Sequence, residues 1–239
     1  MLSVIIPAFN AESYLRDAID SVLAQDWPNL EVLVVDNHST DGTATIIKSY
    51  KHSVHYLYSE IPGQPPTTNT GIRNAKGDWL AFIDADDIWA PNKLQRQFLE
   101  FEIDPTLDAV FGHAVNFFGS PQNVVANKNS EMRAPLPGTL LIRRDAFHRV
   151  GFYSEAYTVG SIIDWYLRAQ ELSISMRILP EVFLYRRIHD NNLGIRLKVK
   201  QSDYVHILKA ALDRKRAKVA PKDDSSLLKD RHSESKLIK

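Results

Sequence analysis

Short apolar runs and longer amphipathic stretches follow one another through the first half of the chain. Runs of strand length, each largely apolar, are Leu2–Ile6, Glu31–Val35, Val54–Ser59 and Trp79–Ile83. Between the first two runs, apolar side chains recur on one helical face, at Leu15, Ala18, Ile19, Val22 and Leu23. This order of strand, helix, strand and helix predicts an α/β fold with a Rossmann-like, mostly parallel central sheet flanked by helices.

The elements predicted farther along the chain follow a less regular order. A rigid loop from Gly63 to Pro66 precedes a short helix from Thr67 to Ala75. Helical periodicity marks Asn92–Ile103, Arg144–Val150 and Ser161–Leu172, and extended runs mark Asp108–Phe118, Thr139–Ile142 and Met176–Arg187. The polar stretch from Gly119 to Pro137 contains prolines and has no periodicity, so it predicts a long functional or disordered loop.

Composition narrows the class of protein. The chain has 239 residues, of which 44% are hydrophobic, which is enough for a sizeable core. Lys and Arg number 29, as do Asp and Glu, so no overall positive field indicates a nucleic-acid partner. The absence of cysteine excludes disulfides and thiolate zinc sites. With no basic, apolar leader and no apolar window of about 20 residues, we expect a cytoplasmic protein.

The C-terminal region is predicted to form a basic helix over residues 196–220. From Arg196 to Lys218, basic residues outnumber acidic ones by eight to two. Such a helix is typical of peripheral contact with the anionic inner face of a membrane, and a solvated helix packed on the domain is the alternative. Residues 221–239 are polar and predict a tail without order.

Three carboxylates follow the fourth apolar run, in the sequence WLAFIDADDIWAP of residues 79–91. They belong to Asp84, Asp86 and Asp87, and a buried parallel strand would place them at the edge where α/β sheets bind ligands. Carboxylates this close repel one another unless a cation or proton joins them, and hard oxygen ligands suit Mg²⁺ or Mn²⁺. The residues therefore predict a divalent-metal site. The alternative is that the acids cap the next helix, with Pro91 in its first turn.

Four segments, in this order along the chain, resemble glycosyltransferase family 2, which has the GT-A fold. They are SVIIPAFN from Ser3, EVLVVDNHSTDGT from Glu31, NTGIRNAKGDWLAFIDADD from Asn69 and TLLIRRDAFHRVGFY from Thr139. The resemblance covers residues 2–190. It implies transfer of a sugar, with inversion, from a nucleotide-diphosphate donor, in surface or lipid-linked polysaccharide or glycoconjugate synthesis.

The resemblance also implies roles for individual residues. It assigns the nucleotide-sugar site to Pro7, Ala8, Phe9, Asn10, Glu12, Asp36, Asn37, Asn69, Arg73, Asp84, Ala85 and Asp86. Asp84 and Asp86 match the family's DxD acids, with Asp86 as the direct metal ligand and Asp84 nearer the donor ribose. His189 matches a histidine that completes the metal or diphosphate site. The implied cofactor is Mn²⁺ or Mg²⁺ held by Asp86, Asp84 and His189.

The chain departs from the family pattern at positions that bear on the donor. Many relatives carry two adjacent acids where this chain has Asp36 and Asn37, and an arginine where it has Thr68. An amide can accept one hydrogen bond but carries no charge. A UDP-sugar is the donor that the resemblance favours, and these departures leave the identity of the base open.

The catalytic base is a second point of departure. Direct displacement at the anomeric carbon needs a carboxylate that takes the proton of the acceptor hydroxyl. Relatives supply it from a Glu-Asp pair, at the places where this chain has Ser161 and Ile162. Asp164 is the nearest acid and the predicted base, with helix capping as its alternative role. The other acids considered for the role are Glu155, Asp145 and Glu171.

Two other functions compete with glycosyl transfer. A nucleotidyltransferase shares the layout and the metal acids, but it opens with a Gly-rich loop and a basic residue, which Ser3–Ala11 lacks. A non-catalytic nucleotide-sugar binding protein is the second alternative.

The predicted organisation is a single GT-A domain over residues 1–195, followed by the C-terminal helical extension. Residues 1–104 form its nucleotide-sugar-binding half and residues 105–195 its acceptor-binding half. The expected partners are a nucleotide-diphosphate sugar and a carbohydrate or lipid-linked acceptor. A homodimer remains an open alternative.

Overall fold

The computed structural model describes residues 1–120, 131–190, 192 and 202–219. Its first half alternates strands and helices in the predicted order. These are β1 (Leu2–Ala8), α1 (Leu15–Leu23), β2 (Leu30–Asp36), α2 (Thr43–Ser49), β3 (His55–Tyr58), α3 (Gln64–Asn74) and β4 (Trp79–Phe82). A 3₁₀ turn at Lys51–Ser53 precedes β3.

The second half contributes shorter strands and the remaining helices. They are β5 (Ile88–Trp89), α4 (Lys93–Ile103), β6 (Ala109–Phe118), β7 (Glu131–Met132), β8 (Leu141–Arg143), α5 (Arg144–Val150), α6 (Ser161–Glu171), β9 (Met176–Ile188) and α7 (Ser202–Val219). A 3₁₀ turn at Pro137–Thr139 leads into β8.

The described strands form one sheet in the order β3-β2-β1-β4-β8-β6-β9-β5, with β7 paired to β6. The first four strands are mutually parallel, and Ile5 on β1 lies beside Leu33 on β2 and Phe82 on β4. In the other half, β8 runs antiparallel to β4 and β6, while β9 runs parallel to β6 and β5 antiparallel to β9. The prediction of a parallel sheet is therefore confirmed for the first four strands, and the remainder is mixed.

Helices cover both faces of the sheet, which explains why its strands are apolar at nearly every position. Val4 and Ile6 pack with α1, α2 and α4 on one face, while the neighbouring Ile5 packs with α3, α5 and α6 on the other. Trp165 of α6 stacks on Phe147 of α5 with 5.1 Å between ring centroids. The two cores fix the sheet in place, so the loops at its edge start from rigid positions.

Three elements differ from the sequence prediction, namely the start of α3 and the two-residue strands β5 and β7. The segment from Gly63 to Pro66 is not a separate loop, because α3 begins at Gln64 and carries prolines in its first turn. Proline suits this position, where a backbone N–H would have no helical partner. Strands β5 and β7 were not predicted, since two residues are too few to show a period, and β7 lies inside the stretch 119–137 that was predicted to be a loop.

Helix α7 confirms the predicted C-terminal helix over Ser202–Val219, and it packs against α6. Residues 196–201, residue 220, the predicted tail 221–239 and part of the predicted 119–137 loop lie outside the described residues. Within the described part of the chain, no helix is both long enough and apolar enough to cross a membrane.

Candidate functional site

The polar residues that the sequence singles out gather at the carboxyl edge of the parallel strands. The register places Ala8, the last residue of β1, beside Asp36, the last residue of β2. Strand β4 lies on the other side of β1 and leads directly into Asp84. The structure therefore brings together the loops after β1, β2 and β4 at one place, as the sequence predicted.

Asp86 lies at the centre of a group of hydrogen-bonded side chains at this edge. Its Oδ2 atom lies 3.0 Å from His189 Nε2 and accepts a hydrogen bond of 3.0 Å from Asn192 Nδ2. The backbone N–H of His189 donates to Asn192 Oδ1 over 2.7 Å, so these two residues form one compact turn. Tyr14 stacks on the imidazole of His189 with 4.7 Å between ring centroids. Asp86 and His189 are thus adjacent although the chain separates them by 103 residues.

Asp84 lies outside the pair formed by Asp86 and His189. Its Oδ1 accepts a hydrogen bond of 2.9 Å from Gln64 Nε2, at the start of α3. Burial, together with the negative charge of Asp86, raises the pKa of Asp84 to about 6, and the opposing effects of Arg186 and Gln64 are smaller. Among the residues that the structure describes, no three or more His, Cys, Asp or Glu side chains are arranged to hold a metal ion. The predicted metal triad of Asp86, Asp84 and His189 stays a prediction, and of its members the structure brings Asp86 and His189 into contact.

Asp87 is buried and bonded to the backbone of β9, which indicates a structural role. Its side chain is 3% exposed, and its Oδ1 accepts a hydrogen bond of 2.9 Å from the backbone N–H of Arg187. Burial and the charges of Asp86 and Asp84 raise its pKa well above the usual range. The alternative in which these acids cap the next helix is wrong, because Asn92 is the N-cap residue of α4 and makes no side-chain capping bond.

Arg187 connects the acid turn to three other parts of the molecule. Its Nε donates to the Asp86 carbonyl over 2.9 Å, and its Nη2 donates to Asp17 Oδ2 on α1 over 2.7 Å. Its Nη1 donates to the Gly119 carbonyl. The guanidinium also lies between the rings of Tyr14 and Phe117, 4.8 and 4.7 Å from their centroids. Because His189 follows two residues later, these contacts also hold the backbone that carries the imidazole.

The loops after β1 and β2 are bound to each other by a polar network. Asn10 Oδ1 accepts the Thr40 N–H over 2.8 Å, and Glu12 Oε2 accepts the Gly42 N–H over 2.6 Å. Asn10 adopts a left-handed backbone with φ of 46°, which asparagine tolerates better than most residues. Beside this network, the ring of Phe9 is 55% exposed. The exposed ring of Phe9 therefore lies beside two loops that hydrogen bonds hold to each other.

Asp36 and Asn37 differ in their remaining capacity for hydrogen bonds. Asp36 is engaged within the protein, whereas Asn37 can still accept a hydrogen bond. Asp36 uses both oxygens within the protein, accepting from the Ser39 N–H and the Tyr56 hydroxyl, each over 3.1 Å. Asn37 donates its Nδ2 to the Gly63 carbonyl over 2.9 Å and also to Thr67 Oγ1. These bonds fix the amide orientation, so Asn37 Oδ1 is the atom left to accept from a ligand.

Asn69 and Arg73 lie along α3 and contact the loop before α6. Asn69 is 1% exposed, and its Nδ2 donates to the Tyr153 carbonyl and to Glu155 Oε1, each over 2.9 Å. Arg73 lies 3.5 Å from the same Glu155 oxygen. The nucleotide-sugar roles predicted for Asn69 and Arg73 stay predictions, while Glu155, with a side chain 37% exposed, joins them.

Asp164 occupies the first turn of α6 rather than a loop. Its side chain is 5% exposed, and the carboxylate lies 2.9 Å from Arg168 Nε and 3.6 Å from Arg214 Nη1 on α7. A catalytic base must reach the acceptor hydroxyl directly or through one water. A carboxylate buried in an ion pair does not meet that requirement. The predicted capping role is absent as well, because Gly160 is the N-cap residue of α6.

Comparison with known proteins identifies the family. The model of "Glycosyl transferase family 2" matches residues 3–161. This chain belongs to glycosyl transferase family 2. A family-level match over most of the α/β core agrees with the segments that carry the resemblance, and the mixed sheet is that of the GT-A fold.

Relatives of this family 2 chain include an uncharacterised glycosyltransferase of Rickettsia prowazekii. It is 43% identical over 205 residues, which are 79% of this chain and 64% of the relative. The matched region therefore spans less than two thirds of the length of the first curated relatives.

Solved structures share the fold. TarS of S. aureus in complex with UDP-GlcNAc has a TM-score of 0.73 and 21% identity, over 88% of this chain and 65% of that chain. The mannosyltransferase PcManGT of Pyrobaculum calidifontis, in complex with GDP-Man and Mn²⁺, has a TM-score of 0.68 and 22% identity, over 89% of this chain and 64% of that chain.

Within this family 2 site, three contacts were missed by sequence reasoning. They involve Asn192, Gln64 and Tyr14, which contact Asp86, Asp84 and His189 respectively. Asn192 lies in the polar run His-Asp-Asn-Asn after β9, and that run was the one signal that could have indicated it. Gln64 was assigned to a loop, and Tyr14 lies just before α1, where no periodic pattern marks it.

Proposed function

We propose that this protein transfers a sugar from a nucleoside-diphosphate donor to an acceptor hydroxyl, with inversion and with a divalent cation. The observation that carries the proposal is the contact of Asp86 with His189 and Asn192 at the carboxyl edge of a family 2 chain. Ligands bind at this edge in open α/β sheets. The nucleotide-sugar complexes of TarS and PcManGT support the donor class.

The donor atoms at this edge fit Mn²⁺ or Mg²⁺. Asp86 supplies a carboxylate and His189 an imidazole within 3.0 Å of each other, and Asp84 adds a second carboxylate nearby. A divalent cation held there would stabilise the charge that develops on the leaving diphosphate. Tyr14 and Arg187 would keep His189 and the acid turn in position through the contacts described above.

Asn37 would recognise the nucleobase. Its amide nitrogen is engaged by Gly63 and Thr67, so its Oδ1 is left to accept a hydrogen bond, for example from a base N–H group. Uracil and guanine present such an N–H at the ring edge, whereas the corresponding cytosine nitrogen is an acceptor. UDP is the favoured nucleotide, and CDP should bind more weakly than UDP.

Glu155 is the proposed base in place of Asp164. Its carboxylate is partly exposed and lies beside α3, whose first residue, Gln64, contacts Asp84. Asp164, in contrast, is buried between two arginines. The acceptor is a carbohydrate or a lipid-linked saccharide, and the protein would meet it at the cytoplasmic face of a membrane.

The proposal is tested with purified protein and a panel of nucleotide-sugars, by following release of the nucleoside diphosphate with Mn²⁺ or with EDTA. We expect release only with the metal. Asp86→Asn should weaken metal-dependent binding of the diphosphate at least about tenfold, because it removes the carboxylate charge while keeping the side-chain size. Asp145→Asn is the matched control, since Asp145 is exposed at the opposite edge of the sheet, where β4 begins.

Other outcomes would replace the proposal. Equal diphosphate affinity with EDTA and with Mn²⁺ would contradict the metal role. Donor binding without turnover for any acceptor would favour a non-catalytic binding protein. Production of pyrophosphate from a nucleoside triphosphate and a sugar phosphate would establish a nucleotidyltransferase instead.

A further inference from the structure

Helix α7 has an inner face that is fully used within the molecule. Ile207 is 0% exposed and Ala211 6% exposed against α6 and the loop that precedes it. Arg214 makes two hydrogen bonds to the Glu171 carboxylate, of 2.8 and 3.1 Å. Asp203 accepts the backbone N–H groups of Thr158 and Val159 over 2.8 and 3.2 Å. These contacts fix which side of α7 faces away from the protein.

The outward face of α7 carries an exposed apolar stripe. Val205, Leu208 and Leu212 follow one another at spacings of three and four residues, so they lie on one side of the helix. Their exposed fractions are 65%, 55% and 54%, and that of the adjoining Tyr204 is 41%. A surface helix normally turns such a stripe towards the core. Here the core-facing side is already occupied by Ile207 and Ala211.

Cations border this stripe. At 100° per residue, Lys209 and Arg216 lie on one side of it and Lys215 on the other, each within about 70° of its centre. All three are exposed, and Asp213 is the acid on this side of the helix, 3.9 Å from Arg216. An apolar stripe with positive flanks matches an anionic lipid surface, where the side chains enter the acyl boundary and the cations meet the headgroups.

We propose that α7 lays this outward face on an anionic lipid bilayer. A second copy of the chain is a poorer occupant, because packing the same face against itself would place these cations beside those of the other copy. The docking is independent of the chemistry at the Asp86 site, although Asp203 ties α7 to the loop that carries Tyr153 and Glu155. Contact with a bilayer would therefore hold that loop near the membrane surface.

The test uses the full-length protein and sedimentation with large unilamellar vesicles. Vesicles of phosphatidylcholine with phosphatidylglycerol should bind the protein at low salt, and vesicles of phosphatidylcholine alone should bind it weakly. The double variant Leu208→Ser and Leu212→Ser should reduce binding at least about tenfold, through lost apolar burial. Lys209→Gln should reduce it about fivefold, an effect that high salt should abolish.

Ile103→Ser is the matched control, since Ile103 is 66% exposed on α4, which covers the opposite face of the sheet. It should bind vesicles like the parent protein, and circular dichroism checks that every variant is folded. The proposal is overturned if the parent ignores anionic vesicles or if the Leu208→Ser, Leu212→Ser variant binds them equally well. The face would instead be assigned to a second copy of the chain if the parent protein self-associates in solution without binding vesicles and this double variant alone abolishes the self-association.

Discussion

The carboxylates of Asp164, in the first turn of α6, and of Glu155, in the loop before α6, lie in contrasting environments. Asp164 is buried between Arg168 and Arg214, and it therefore joins α6 to α7. Glu155 is 37% exposed and accepts a hydrogen bond from Asn69. Burial with paired guanidinium groups suits a structural ion pair, whereas partial exposure beside predicted donor-binding residues suits proton transfer.

Paired substitutions separate these two roles. Glu155→Gln should retain donor binding and lower sugar transfer by about 10² to 10⁴, because it keeps the hydrogen-bond acceptor but removes the base. Asp164→Asn should lower the free energy of unfolding by about 3 kcal/mol, since it removes the buried charge that pairs with Arg168, while Arg214 keeps its pair with Glu171. Transfer rates of folded protein and thermal unfolding measure both effects. A hundredfold loss of transfer in stably folded Asp164→Asn, with normal turnover in Glu155→Gln, would restore Asp164 as the base.

At the scale of secondary structure, the two-residue strand β5 decides how the site is assembled. Ile88 pairs with Tyr185 and Trp89 with Leu184, antiparallel to β9. The same register, continued by two residues, places Asp86 opposite Arg187. This pairing explains why Arg187 donates to the Asp86 carbonyl and why His189 reaches the Asp86 carboxylate.

Arg187 is predicted to be a positioning residue for this junction. Arg187→Lys keeps the charge, but one ammonium group cannot reach the Asp86 carbonyl, the Gly119 carbonyl and Asp17 together. We expect a loss of about 2 kcal/mol in unfolding free energy, because a buried acceptor is left unpaired. Metal-dependent binding of UDP, measured by calorimetry on folded protein, should weaken as well.

Arg177→Lys is the control for this prediction. Arg177 lies on the same strand and pairs with Glu100 and Asp104, each over 2.8 Å, but its side chain is 35% exposed. A more exposed ion pair of this kind contributes at most about 1 kcal/mol to the free energy of unfolding. Equal effects of the two substitutions on UDP binding would show that Arg187 has no particular role at the site.

At the scale of the whole molecule, stability should depend on pH through Lys93. This side chain is 0% exposed, donates to Gln97 Oε1 over 2.7 Å and lies 4.1 Å from the Trp89 ring centroid. The ring and the amide favour the charged form, but burial is the larger effect and holds the pKa of Lys93 well below its usual range. The unfolded chain therefore binds the proton more tightly than the folded protein does.

Lys93→Met tests this dependence. Below the ordinary lysine pKa of about 10.4, the unfolded state is the more protonated one, so the contribution of Lys93 to stability rises with pH up to that value. The methionine variant should unfold at a higher temperature than the parent at pH 7, and the difference should shrink as the pH approaches 10. The exposed Lys76→Met serves as control. A difference that does not change with pH would contradict the prediction.

Much of the fold was predictable because its signals are local. The apolar runs of β1, β2 and β4 and the helical face of α1 depend only on spacing within about a dozen residues, which burial on both faces of a sheet or one face of a helix imposes. The mixed half of the sheet was less predictable, since β5, β7 and β8 have only two or three residues each. The start of α3 was misplaced because prolines usually mark loops and here occupy a first helical turn.

The sequence by itself determined the α/β order of the first half and the carboxylates that end its fourth apolar run, because both follow from the local alternation of apolar and polar residues. Tertiary structure alone decided the partners of those carboxylates. Asp86 meets His189 and Asn192 from 103 and 106 residues away, through the pairing of β5 with β9. Asp164 pairs with Arg168 within α6, and it meets the second arginine, Arg214, only because α7 packs on α6. Such contacts depend on which elements pack together, and a local pattern carries no information about that choice.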